Sequence, residues 1–166
     1  MQSSSKLLIQ FLVLMKFIRP FLGSEVDALI SSLTLKGFGG RIVRQTDSVY
    51  QYFTIDITHF TNDFLQDYSV LKLDMNKACL ADPALILMPG SEQDVSSAVV
   101  AAQETGLALS VRGGGHSYTC NSVKNNSVQL DMRDMDSISL GQDNSSPTGL
   151  AATLGAGATW GEVIRY

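Results

Sequence analysis

Cysteine and histidine are scarce, two of each in 166 residues. Cys79 and Cys120 sit in no CxxC or Cys/His cluster, and His59 has no partner at ligand spacing, which argues against a zinc centre. The two cysteines are free to pair in an oxidising compartment, although sequence alone does not supply their separation. Basic residues are also few. Twelve Lys and Arg against sixteen Asp and Glu leave a net charge of −4, which argues against nucleic acid as the main partner. No run of like charges marks a tail, and there is no internal repeat or low-complexity segment. Trp160 is the only tryptophan, so an aromatic platform for a carbohydrate-binding module is not apparent. No GxSxG elbow supports a Ser/His/Asp hydrolase. What remains is an ordinary globular balance, 45% hydrophobic and 17% charged, enough for one modest domain.

The apolar stretch Leu7–Met15 is interrupted only by Gln10 and is too short to span a bilayer. With Lys6 before it and the small residues Gly23 and Ser24 beyond, residues 1–24 have the outline of a secretory signal, and an amphipathic helix is the competing reading. Two sequons, Asn125-Asn126-Ser127 and Asn144-Ser145-Ser146, fit a secreted protein.

Ser24–Leu35 reads as a short helix stopped at Gly37–Gly40, a glycine cluster taken as a turn. Arg41–Phe53 is rich in β-branched and aromatic residues without clean alternation, and Thr54–Met75 reads as loop and short elements. Leu85–Met88, between Pro83 and Pro89-Gly90, is a buried strand. Ser91 caps the next helix, with Asp94 three positions on as a near capping box. Val95, Ala98, Val99 and Ala102 fall on one helical face, Asp94 and Ser97 mostly elsewhere. Gly106 ends the helix and Leu107–Arg112 is the next strand, which makes a β-α-β unit. Val128–Met132, Ile138–Leu140 and Gly149–Leu154 are further strands, separated by the polar turn Arg133–Ser137 and the loop Gly141–Thr148. Asp131, Asp134 and Asp136 lack the glycine and glutamate of a calcium loop and read as a solvated turn. Thr159 with Glu162 is a capping box. The chain stops about two turns into that last helix, which predicts that the domain is truncated at Tyr166.

Two glycine-rich segments carry the chemistry. Gly113-Gly114-Gly115 follows a strand, and successive N–H groups there suit an anion such as a pyrophosphate, with Arg112 as a cation beside them. A flexible turn is the alternative for a bare glycine run. His116 follows at once. Imidazole is a nucleophile near neutral pH and forms covalent adducts, whereas a structural histidine bonded to backbone is the plainer alternative. Gly155–Gly161 (GAGATWG) is a second strand-to-helix turn, and a helix N-terminus favours phosphate. It is not a GxGxxG fingerprint, because Gly161 falls one residue late.

Taken together, these motifs identify a family. Pro83–Pro89, Asp94-Val95, Val111–Tyr118 (VRGGGHSY), Leu130–Met132 and Gly155–Gly161 come in the order and spacing of the FAD-binding domain of the vanillyl-alcohol oxidase / p-cresol methylhydroxylase (PCMH-type) superfamily. The chain resembles its berberine bridge enzyme-like branch from about Asn76 to the end, and less distinctly from Arg41. The resemblance implies an α+β fold of small sheets flanked by helices, with an N-terminal extension over 25–75 and the incomplete flavin domain over 76–166. It implies that His116 bonds covalently to the flavin. Gly113, Gly114, Gly115 and Ser117 would hold the pyrophosphate, with Arg112 and Tyr118 beside them. Gly155, Ala156, Gly157, Ala158 and Thr159 would form a second loop lining the cofactor. Cys120, four residues past His116, is not assigned as a second flavin anchor; it is a structural thiol or a disulfide partner of Cys79. The implied function is a secreted FAD-dependent oxidoreductase acting on an alcohol- or sugar-type small molecule, with no catalytic residue assigned. The competing function is a non-catalytic nucleotide- or anion-binding module.

Overall fold

The computed structural model describes residues 23–45 and 71–165. The signal-like stretch up to residue 22, the strand-like residues beyond 45, most of Thr54–Met75 and His59 lie outside the described residues.

Among the described residues, helix α1 covers residues 23–35. Its Leu29 and Leu33, four apart and so on one face, are fully buried. Strand β1 (Arg41–Arg44) follows the glycine turn and pairs antiparallel with β2 (Leu85–Met88). Gly40 makes that turn possible, because a side chain there would collide with the Met88 carbonyl and with Pro89. Helix α2 (Glu92–Thr105) leads to β3 (Leu109–Arg112), and β4 (Val128–Asp131) comes last. The sheet order is β1-β2-β4-β3, with β4 parallel to both β2 and β3. The expected β-α-β unit is therefore present with its strands parallel, but β4 lies between them. β3 starts two residues later than expected, because Leu107 N–H still bonds to the Ala102 carbonyl at the end of α2.

The two faces of the sheet differ. Leu85, Leu87, Val128 and Leu130 pack with Leu29 and Leu33 of α1 and Ala98, Ala101 and Ala102 of α2 as one apolar core. The other face begins apolar, with Val43, Ile86, Met88 and Leu71. It turns polar toward β3, where the register pairs Ser110 with Gln129 and Arg112 with Asp131. All four of these polar residues are buried. Gln129 Nε2 donates to the Leu71 carbonyl and Ser110 Oγ meets Ser127 Oγ at 3.1 Å, so most of this stripe is hydrogen-bonded, as burial demands.

Helix α2 departs from its expected face. Asp94 and Ser97 are buried with Ala98, Ala101 and Ala102, while Val99 is exposed. The cause is the turn after α1. Asp94 Oδ1 accepts from Gly39 N–H at 2.6 Å, Asp94 Oδ2 accepts from Gly90 N–H, and Ser97 Oγ donates to the Lys36 carbonyl. The caps are as expected: Ser91 Oγ accepts from Asp94 N–H, and Gly106 closes the helix at φ 71°.

Beyond β4, Asp131 caps a single 3-10 turn, Met132–Asp134. Strands β5 (Ile138–Gln142) and β6 (Leu150–Leu154) form a separate antiparallel hairpin, and the short helix α3 (Trp160–Val163) follows. Among the described residues no helix is long and apolar enough to cross a membrane.

Candidate functional site

Strand β3 ends at Arg112 and delivers Gly113–Gly115 to the edge of the sheet. Gly115 has φ 73°, a left-handed conformation that glycine adopts without penalty. A Cβ there would also sit 2.5 Å from Nη2 of Arg112. The loop rests directly on that guanidinium. Among the described residues, none of the N–H groups of Gly114, Gly115, His116, Ser117 and Tyr118 donates a hydrogen bond. Gly114, His116 and Tyr118 are exposed. Five successive donors without acceptors at a partly exposed turn are what an anion site needs.

Beneath the loop lies a charge cluster. Arg112 is buried, and its Nη1 donates to Asp131 Oδ2 at 3.0 Å. Its Nη2 donates to the Leu73 carbonyl at 2.7 Å, and its Nε has no partner. Arg133 grips the same carboxylate, Nε on Oδ1 at 2.8 Å and Nη2 on Oδ2 at 2.7 Å. Within this cluster two guanidinium groups share one carboxylate, an excess of positive charge of the sign a diphosphate needs. Arg112 is thus turned inward under the loop and supports it through contact and charge.

Asp131 corrects the expectation of a solvated turn at Asp131, Asp134 and Asp136. Its side chain is fully buried, because β4 pairs it with Arg112 across the sheet. Asp134 is ion-paired with Arg41 at the surface, and Asp136 alone is exposed without such a pair.

The structure brings the two glycine segments together. A Cβ on Gly113 would lie 3.2 Å from the Ala156 carbonyl oxygen, and one on Gly114 would lie 3.6 Å from His116 Cδ2 and 3.9 Å from Thr159 Cγ2. Gly155 and Gly157 are required by packing. A side chain on Gly155 would strike the Met135 carbonyl, and one on Gly157 the Met132 carbonyl. This second loop differs in chemistry from the first. The N–H groups of Gly155, Gly157 and Ala158 already bond to Ser137, Met135 and Gly155 carbonyls. Thr159 N–H and Oγ1 both donate to Glu162 Oε2, at 2.7 and 2.6 Å. The start of this four-residue helix already holds a carboxylate of its own chain. The bonds from the Thr159 hydroxyl and N–H hold the Glu162 carboxyl below its ordinary pKa, so it stays charged there. The second loop packs against the first, which carries the row of acceptor-free N–H groups.

A brace unforeseen from sequence fixes the far side. Met75 N–H donates to the Gly115 carbonyl at 2.8 Å, and Asn76 Nδ2 to the Tyr118 carbonyl at 3.2 Å. Cys79 and Cys120 are joined in a disulfide with Cα atoms 5.0 Å apart. Of the two fates considered for Cys120, the disulfide is the one found. Ser122 Oγ bonds to Asp74 Oδ2 and adds a further tie. Residues 73–79 lack a motif of their own, and the only signal for them was the pair of cysteines.

Residues 83–166 match a protein family described as FAD binding domain. The chain is 31% identical over 144 residues to reticuline oxidase of Papaver somniferum, covering 85% of this chain and 24% of that protein. It is 39% identical over 83 residues to berberine bridge enzyme-like 18 of Arabidopsis thaliana, covering 49% of this chain and 15% of that one. The chain thus spans a quarter or less of the length of these relatives. Among solved structures, a variant of berberine bridge enzyme superposes over 81% of this chain and 25% of its own, with a TM-score of 0.55 at 24% identity. That likeness establishes the fold, a mixed arrangement of small sheets and helices.

Proposed function

Because the chain belongs to the FAD binding domain family, whose members similar to it include berberine bridge enzyme-like flavoproteins, we propose that it forms the pyrophosphate cradle and flavin anchor of a secreted oxidoreductase. FAD is the cofactor of this family. The observation that carries the rest is the row of acceptor-free N–H groups from Gly114 to Tyr118, set over a net positive charge and facing the second glycine loop.

The residues fit the group. Gly114, Gly115, Ser117 and Tyr118 offer backbone donors to the diphosphate. Arg112 and Arg133 supply the charge behind it, and Gly155–Thr159 closes the wall opposite. His116 is exposed at the centre of the donor row, where its imidazole can reach the flavin and hold it covalently. Bound FAD would accept a hydride from the substrate and pass the electrons on. The substrate is an alcohol- or sugar-type small molecule, as the resemblance implies. The flavin domain runs over 76–166, and the extension before it adds α1 and β1 to the same core and sheet and Met75 to the brace. Passage through the secretory pathway is supported by the disulfide, since such bonds persist in oxidising compartments.

The covalent role is tested by denaturing flavin-loaded protein and following flavin fluorescence on a denaturing gel. Flavin should stay with the chain, and His116→Ala should release it. Release from the unaltered protein would remove His116 from the anchor role. A protein that takes up other nucleotides as readily as FAD would point to the non-catalytic binding module instead.

A further inference from the structure

The cofactor loops make no use of the two sequons. Their surroundings differ. Asn144 lies at the tip of the β5–β6 hairpin, inside a turn closed by Ser146 N–H on the Asp143 carbonyl and Gly149 N–H on the Ser146 carbonyl. It is exposed, and among the described residues its side chain makes no hydrogen bond. Asp143 Oδ1 binds Ser145 N–H and hydroxyl, which shapes the turn without using Asn144. Asn125 is exposed too, but its amide oxygen is engaged and its sequon serine is buried. Its Oδ1 accepts from Asp82 N–H at 2.7 Å, and the hydroxyl of its sequon serine, Ser127, is fully buried against Lys124 O and Ser110 Oγ. Both cysteines are in a disulfide, the state of a chain that has passed through an oxidising compartment.

We propose that Asn144 is an N-glycosylation acceptor and that Asn125 is not, an inference that rests on the secretory reading above. The donor class is a lipid-diphosphate-linked oligosaccharide. Asn144 Nδ2 forms a bond to C1 of the reducing-end sugar, and the C1–O bond to the diphosphate breaks. The lipid diphosphate leaves with that bond's electron pair, and Nδ2 gives up one proton, so no oxidant or reductant takes part. The attachment point lies away from the glycine loops. Five residues of β6 at about 3.4 Å each separate the tip from Gly155, roughly 17 Å.

The test is cell-free translation of the full chain with endoplasmic-reticulum microsomes, once with its own N-terminus and once behind a heterologous secretory leader. Glycosylation is read as an endoglycosidase-sensitive mobility step, and entry as protease protection. The leader-bearing chain should show one step, lost in Asn144→Gln and in Ser146→Ala and kept in Asn125→Gln and Ser146→Thr. A protected chain with no step, with two, or with a step lost in Asn125→Gln overturns the assignment. If only the leader-bearing chain enters and Asn144 is modified in it, the secretory reading fails and the acceptor assignment stands.

Discussion

Arg112, Asp131 and Gly115 form one mechanical unit. The carboxylate holds the guanidinium, and the guanidinium fills the space a side chain on Gly115 would need. Both charged groups are buried, so their pairing is not screened as a surface pair would be. Replacing Asp131 with Asn leaves two guanidinium groups facing a neutral amide. It should cost about 3–5 kcal/mol in urea unfolding, because a buried charge loses its partner. Gly115→Ala should destabilise as well, by about 1–2 kcal/mol for the left-handed backbone alone, and should weaken FAD binding by displacing Arg112. An unchanged urea midpoint in either variant would contradict this account. At this scale the sequence was partly legible. A glycine run after a strand marks a backbone that something approaches closely, here the Arg112 guanidinium against Gly115. Asp131 was misread because three aspartates at alternate spacing look solvated until the sheet register sets the first of them opposite Arg112.

Helix α2 shows the same contrast at the level of an element. Its ends were legible from Ser91, Asp94 and Gly106, since capping is local chemistry. Its buried face was not, because hydrophobic spacing cannot anticipate that Asp94 and Ser97 bond to the turn after α1. Burial raises the Asp94 pKa, but the Gly39 N–H, the Ser91 hydroxyl and the Gly90 and Ser91 N–H groups outweigh it, and the carboxyl lies below its ordinary value. A lowered folded-state pKa adds stability above the unfolded value, about 3.9, and that stability is lost as pH falls through the folded value. Acid unfolding should therefore steepen below about pH 4, and Asp94→Asn should flatten that limb while lowering stability at neutral pH. A variant with the same acid limb as the unaltered protein would sink the linkage. Ser91→Ala should cost about 1 kcal/mol, measured as a shift of the urea midpoint.

Over the whole molecule, the sheet carries an apolar face for the helices and a partly polar face that ends under the first glycine loop. The disulfide then ties residues 41 apart in sequence, fixing the segment after His116 to residues 73–79. By loop-closure entropy it contributes about 4 kcal/mol. Reduction, or Cys79→Ser, should lower the urea midpoint accordingly and loosen protection of the Gly115–Cys120 amides in hydrogen exchange. Sequence pattern found both glycine loops but not the asymmetry between them, because which N–H groups remain without acceptors depends on the carbonyls of Met135 and Ser137 folding back onto the second loop. That asymmetry is the central claim, and titrating the chain with FAD and with riboflavin while following flavin fluorescence tests it most directly. The account predicts that FAD binds and that riboflavin, which lacks the diphosphate, binds at least tenfold more weakly. Equal affinity for the two would contradict the assignment of Gly114–Tyr118 as the pyrophosphate cradle.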